Sequence, residues 1–175
     1  RQPDVDTDAP GTLTLSKYLK ANGYKTQSLG KIYHSRNDDL GGWSLPPWRG
    51  PFSHNHYNLP ENRAILEQNG RYGPAFECAN VPDEAYPDGL MAAEAVRRIE
   101  AAADEEQPFF LAVGFWRPHL PFNAPKKYWD LYPANETELA DNPFPPKDVP
   151  EIAMHNSPEV RGYEGVPNPI DTMDE

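Results

Sequence analysis

Pro108-Phe-Phe-Leu-Ala-Val-Gly-Phe-Trp-Arg-Pro-His-Leu-Pro-Phe122 is the stretch on which the fold turns. Pro108 to Phe115 is an almost unbroken apolar run, the signature of a strand buried on both faces of a parallel sheet. Pro118 and Pro121 end the strand, since proline cannot donate to a ladder, and pass Arg117 and His119 to a loop. Upstream, Asp88 to about Glu105 reads as a helix with Asp88 as its N-cap. Leu90, Met91, Ala95, Val96, Ile99 and Ala103 trace one face, while Arg97, Arg98 and Glu100 point outward. Further back, Tyr24 to Leu29 alternates as a strand, and Gly30 breaks it into a loop carrying Lys31 and His34. A short amphipathic helix within Thr12 to Asn22, closed by Gly23 at C′, precedes that strand. Two strands joined through a helix run parallel, and open parallel sheets bind ligands beyond the carboxyl ends of their strands. The fold class is therefore α/β, in the order α–β–loop–α–β–α.

The final helix of that order spans Pro125 to about Leu131, with proline at its first position. Residues 35–87 show no sustained period and far exceed an ordinary connection, a length associated with functional or disordered loops. Beyond Tyr132 the chain is proline-rich and irregular, and no internal repeat is present. Leu, Ile, Val and Phe make up only 32 of 175 residues, and the net charge is −11, a combination that leans toward disorder. Four Trp, nine Tyr and seven Phe oppose it, because aromatic rings bury large areas. Two strands and one long helix cannot cover a parallel sheet on both faces. The chain reads as a loop-rich segment, anchored by aromatics onto a core supplied largely by residues outside it.

The acidic balance argues against nucleic acid, which demands a basic stripe. It leaves room for an anionic substrate, because a few cations in a cleft override net charge locally. There is no apolar run long enough to span a membrane and no signal-peptide pattern. The first residue is Arg1 rather than Met, so an upstream address can have been removed. The single cysteine, Cys78, has no partner for an internal disulfide; with no basic neighbour in sequence, it reads as buried and inert. Asn135-Glu136-Thr137 is a formal glycosylation triplet of a kind common by chance.

Three basic residues stand out. Lys31 and His34, three apart just after a strand, can reach one pocket if the turn is tight; the ammonium offers three donors to an anion and the imidazole donates or accepts. The plain alternative is a solvated lysine and a capping histidine. His119 lies close between Pro118 and Pro121, so its backbone is held extended. That rigidity suits a general acid meeting a leaving oxygen; equally, the ring can simply pack under Trp116 and Phe122. Arg117, Lys126 and Lys127 can help hold a polyanionic sugar, or form an ordinary charged surface. His54 and His56 form an H-x-H that suits a metal pair but has no acidic or cysteine cluster beside it, and so reads as surface. Glu77, Asp83, Glu84 and Asp88 read as an acidic group that solvates a loop and caps a helix.

The order of these stretches carries more than any one of them. Thr12-Leu-Thr-Leu15, Leu19-Lys-Ala-Asn-Gly-Tyr-Lys-Thr26, Gly30-Lys-Ile-Tyr-His34 and Trp43-Ser-Leu-Pro-Pro47 resemble the type I, formylglycine-dependent sulfatases, leading into a G-K-x-x-H motif. Glu77-Cys-Ala-Asn-Val-Pro-Asp-Glu-Ala-Tyr-Pro-Asp-Gly89, the Pro108–Phe122 stretch, Pro125-Lys-Lys-Tyr128 with Leu131-Tyr-Pro133, and Arg161-Gly-Tyr-Glu-Gly-Val-Pro167 resemble the iduronate-2-sulfatase-like branch. The resemblance implies that residues 1–175 are an internal segment of a sulfatase catalytic domain: part of an alkaline-phosphatase-like sheet sandwiched by helices, incomplete in this chain. It further implies a sulfuric ester hydrolase acting on sulfated saccharides such as uronate-2-sulfate units, secreted or periplasmic, or lysosomal in a eukaryote. Lys31 would bind the sulfate, His34 would contact the formylglycine hydrate, and His119 would support departure of the sugar alcohol. Trp43, Trp116 and Arg117 would join Lys31 and His119 in contacting substrate.

That family uses a formylglycine made from the Cys or Ser of a C/S-x-P-x-R motif, and a calcium ion held by acidic residues. Neither that motif nor the family's acidic metal pairs occur here, and Cys78 is followed by Ala-Asn-Val. No metal ligand carries over, and the 175 residues alone are expected to be inactive. Two other readings stay open: a phosphoesterase on the same scaffold, and a non-catalytic carbohydrate-binding segment using Trp43, Trp48, Trp116 and Trp129 as stacking platforms.

Overall fold

A computed structural model describes residues 5–34, 39–136, 138, 141–142, 144–154 and 159–166. In chain order the elements are α1 (Val5–Asp8), α2 (Leu15–Ala21), β1 (Lys25–Gly30), α3 (Pro60–Asn69), β2 (Phe76–Ala79), α4 (Pro87–Ala103), β3 (Phe109–Gly114), β4 (Phe122–Pro125) and α5 (Lys126–Trp129). The chain divides into two compact units. The first holds Arg1–His54 and Asp83–His119; the second holds Asn55–Pro82 and Leu120–Glu175.

In the first unit β1 and β3 pair in parallel, from Lys25 opposite Phe109 to Gly30 opposite Gly114. The other edge of β1 is taken by the segment after Trp43: Ser44 N–H donates to Thr26 O, Trp48 N–H to Ser28 O, and Gly30 N–H to Trp48 O. This flanking reverses the burial expected from sequence. Polar β1 is almost wholly buried, with Thr26 fully inaccessible, whereas apolar β3 is half-buried and pairs on one side only among the described residues. Position in the sheet decided burial, and side-chain bonds made it tolerable: Thr26 Oγ1 donates to Gly42 O at 2.7 Å, and Gln27 Oε1 accepts from Arg98 at 2.9 Å.

Helix α4 covers the pair through Met91 and Ala95, which pack with Leu29, Trp48, Leu111, Val113 and Trp116. Its inward face is Met91, Ala95, Arg98 and Ala102, one helical period apart; Val96 and Ile99, read from sequence as core, are about half exposed. The N-cap is Tyr86 with Pro87 at the first position, not Asp88, whose carboxylate has another task. Helix α2 is capped by Thr14, which accepts from Lys17 N–H, and ends at Asn22 before Gly23 at φ +88°. Thr14 and Ser16 also donate to buried Asp39, each at 2.5 Å, and Lys17 pairs with it at 2.9 Å.

The second unit contains two elements inside the stretch that looked structureless. β2 pairs in parallel with β4, Glu77 opposite Asn123, and α3 starts where a buried acid waits. Glu77 accepts from Asn58 N–H at 2.6 Å, Leu59 N–H at 3.0 Å and Asn62 Nδ2 at 2.9 Å. Far from solvating a loop, Glu77 is 1% exposed and accepts from the backbone leading into α3 and from the Asn62 side chain in its first turn. Alternation along β2 puts Glu77 and Ala79 inside, so Cys78, expected to be buried, is exposed. The sequence had placed α5 from Pro125 to about Leu131, whereas the helix is the single turn Lys126–Trp129. Thr137 of the glycosylation triplet and residues 167–175 fall outside the described residues.

Candidate active site

Two glycines bring the strand ends together. A Cβ on Gly114 would sit 2.0 Å from Lys31 O, and one on Gly30 would sit 2.3 Å from Gly114 O and 2.2 Å from Met91 Cε. Only bare backbone allows that approach, and it lets Lys31 N–H donate to Gly114 O at 2.7 Å. Lys31 thereby leaves β1 beside the loop that leaves β3. Its ammonium lies 5.8 Å from the centroid of the Trp116 ring, within cation–π range. Among the described residues it has no carboxylate partner.

The loop after β3 is fixed from three directions. Asp88, in the first turn of α4, accepts from Trp116 N–H and Arg117 N–H, each at 2.9 Å. His119 N–H donates to Trp116 O at 2.8 Å. The Arg117 guanidinium donates to His119 O at 2.6 Å and to His54 O at 2.9 Å, tying its own loop to a second one. The peptides before Pro118 and Pro121 are both cis.

His54 completes the group. Its ring is 5.3 Å from that of Trp116, tilted by 36°, and 5.3 Å from that of His119, edge-on at 80°. Burial, and then the charges of His119, Arg117 and Lys31, hold the His54 imidazole below the ordinary histidine pKa. Lys31, His54, Trp116, Arg117 and His119 thus converge within the first unit, at the carboxyl ends of β1 and β3.

Other sequence candidates lie elsewhere. His34 is exposed on the loop after Lys31. Trp43 is 5% exposed and stacks on Phe110 at 6.3 Å, so it packs the first unit's core instead of offering a face to sugar. Arg117 stays in the group, but as a strut between the His119 and His54 carbonyls. Lys126 bonds Asp130 and Lys127 lies over Tyr128, both in the second unit. His56 also belongs to the second unit, where its carbonyl accepts from Asn123. Sequence reading missed His54, taken as surface, and Asp88, taken as a cap. The length of the loop holding His54 was the signal available.

The group suits an anion. It presents an ammonium, two imidazoles and an aromatic face, and among the described residues no carboxylate pairs with Lys31. Among the described residues, no group of three or more His, Cys, Asp or Glu can hold a metal ion. These side chains do not fit a calcium ion. A cationic, aromatic-walled site where parallel strands end is chemically suited to an anionic ligand, on an α/β scaffold.

The family model described as Sulfatase matches residues 3–169, and the chain belongs to the sulfatase family, on its iduronate-2-sulfatase-like branch. It is 35% identical over 163 residues to iduronate 2-sulfatase of Mus musculus and 32% identical over 160 residues to that of Homo sapiens. A sulfatase of Formosa agariphila is 30% identical over 145 residues, 79% of this chain and 28% of that protein. Each iduronate 2-sulfatase match covers 87% of this chain but 29% of the relative, so the chain spans about three tenths of their length.

Proposed function

We propose that residues 1–175 are an internal segment of a sulfuric ester hydrolase and form the anion-binding and leaving-group side of its active site. The observation that carries this reading is the Lys31 ammonium, held over Trp116 beside two imidazoles with no carboxylate partner among the described residues. A sulfate ester brings the missing negative charge, and a fixed cation at developing charge is a large catalytic term. Lys31 binds the sulfate oxygens. His119, on a loop stiffened by Asp88 and Arg117, delivers a proton to the departing alcohol oxygen. Trp116 walls the site, its ring within cation–π range of the Lys31 ammonium. His34, exposed three residues beyond Lys31, adds a second basic group to that loop.

In the full-length enzyme the family's formylglycine would supply the nucleophile and its calcium would offset sulfate charge, both held by residues outside this chain. The substrate class we assign is a sulfated saccharide, with uronate-2-sulfate units favoured by the relatives, in a secreted or periplasmic setting. No helix among the described residues is long and apolar enough to cross a membrane.

The test is hydrolysis of an aryl sulfate, a sulfated uronate disaccharide and an aryl phosphate by the full-length enzyme carrying this segment. Sulfate esters should turn over, Lys31→Ala should lower kcat/KM by about 100-fold or more, and the isolated 175 residues should be inactive. Preference for the phosphate ester, or an unaffected Lys31→Ala, would overturn the assignment.

A further inference from the structure

His54 is tied into the site by its backbone, which leaves its ring for other work. Its carbonyl accepts from the Arg117 guanidinium at 2.9 Å, a bond that any side chain at this position can keep. Its ring centre lies 5.3 Å from those of Trp116 and His119. Among the described residues, neither nitrogen of the His54 ring makes a hydrogen bond. Lys31, His54, Trp116 and His119 are each only partly buried, so all four are open to a ligand.

Lys31 supplies positive charge for a sulfate group, and His54 adds a different chemistry. Burial, and after it the charges of His119, Arg117 and Lys31, disfavour the imidazolium, so the ring is neutral at neutral pH. A neutral imidazole carries one N–H donor and one acceptor nitrogen. Sulfate oxygens only accept and leave that acceptor idle, whereas a hydroxyl can answer either nitrogen. A sulfated saccharide carries such a hydroxyl next to its ester. The 5.3 Å between the His54 and His119 ring centres lets one sugar ring meet both side chains. With the ester oxygen at His119, the group within reach of His54 sits on a neighbouring carbon.

We infer that His54 is a substrate-binding residue that hydrogen-bonds the saccharide hydroxyl beside the sulfate ester and so sets specificity for the sugar. The inference rests on the sulfated-saccharide reading above, and it names the part of that substrate which His54 contacts.

The experiment uses the full-length enzyme and two substrates, a 2-sulfated uronate disaccharide and its analogue lacking the 3-hydroxyl of the uronate. The readout is the ratio of their kcat/KM values, from which any general loss caused by a disturbed loop cancels. The wild type should favour the hydroxylated substrate by about 10-fold, the scale of one hydrogen bond between uncharged partners. His54→Phe and His54→Leu should bring the ratio close to one. His54→Asn keeps a donor and an acceptor and should fall between. If His54→Phe does not fold, His54→Leu carries the comparison. A wild type that treats the two substrates alike overturns the inference, as do Phe and Leu variants that keep the wild-type ratio. A wild type that cleaves the matching 2-phosphate but not the 2-sulfate sinks the functional assignment, and the His54 contact is then judged by the same ratio on the phosphate pair. A wild type that cleaves neither ester overturns both.

Discussion

Gly114→Ala tests how the site is assembled, because its effect is set by backbone geometry. The added Cβ would lie 2.0 Å from Lys31 O and 2.4 Å from Lys31 C, with Ile32 Cδ1 at 3.0 Å. The first two atoms are backbone and cannot rotate away, so the loop after β1 has to retreat by about 1 Å. Overpacking of this kind costs about 1–3 kcal/mol. The retreat also stretches the 2.7 Å bond from Lys31 N–H to Gly114 O, worth about 1 kcal/mol. Together these give about 3 kcal/mol. With a urea slope of about 2 kcal/mol/M, the unfolding midpoint should fall by about 1.5 M. Tryptophan fluorescence follows it, and the Lys31 amide should exchange with solvent sooner. In the full-length enzyme the displaced ammonium should lower kcat/KM by roughly 100-fold, as a 1 Å misplacement does. Gly23→Ala is the control: nothing lies within 4 Å, so its cost comes from the φ of +88° and stays far from the site. If Gly114→Ala unfolds at the wild-type midpoint with Lys31 exchange unchanged, the close approach of the two strand ends is wrong.

Three further outcomes follow from the same geometry. Glu77→Ala should cost roughly 3 kcal/mol, since two backbone N–H groups and the Asn62 amide lose their acceptor in a buried place; denaturant unfolding and the helical circular dichroism signal measure it. Asp88→Ala should cost about 2 kcal/mol by removing the anion that holds Trp116 N–H and Arg117 N–H. It should also lower kcat more than KM, and Asp88→Asn, which keeps one acceptor oxygen, should be milder. Asp39 gives a pH dependence: burial pushes its carboxyl up, but bonds from Lys17, Ser16 and Thr14 outweigh this and leave it below its ordinary 3.8. The stability it adds is therefore complete above about pH 4 and lost as pH falls through the depressed value. Asp39→Asn tolerates the φ of +51° and should be less stable at neutral pH, with a flatter acid limb in a pH series of thermal unfolding. An unchanged acid limb would mean that this carboxylate is not anchored as described.

The sequence by itself determined the class of fold and pointed to two candidate groups at the strand ends. An apolar run closed by prolines, a strand broken at Gly30 and a long helix between them require parallel strands, and the side chains at strand ends, Lys31 and His119, were legible because they follow directly from those breaks. Chain-local signals of that kind survive folding, since steric limits on glycine and proline act wherever the residue sits. What only the tertiary structure decided involves pairs far apart in the chain. β1 is polar in sequence yet buried because β3 and the segment after Trp43 flank it. Trp43 went to the core through Phe110, and Asp88 became an anchor for a loop 28 residues away instead of a cap. Glu77 found its donors at the start of α3, and His54 met His119 from a loop with no period to announce it. Burial and hydrogen-bond partners are properties of contacts, and a contact between distant residues leaves no mark in the local pattern of either one.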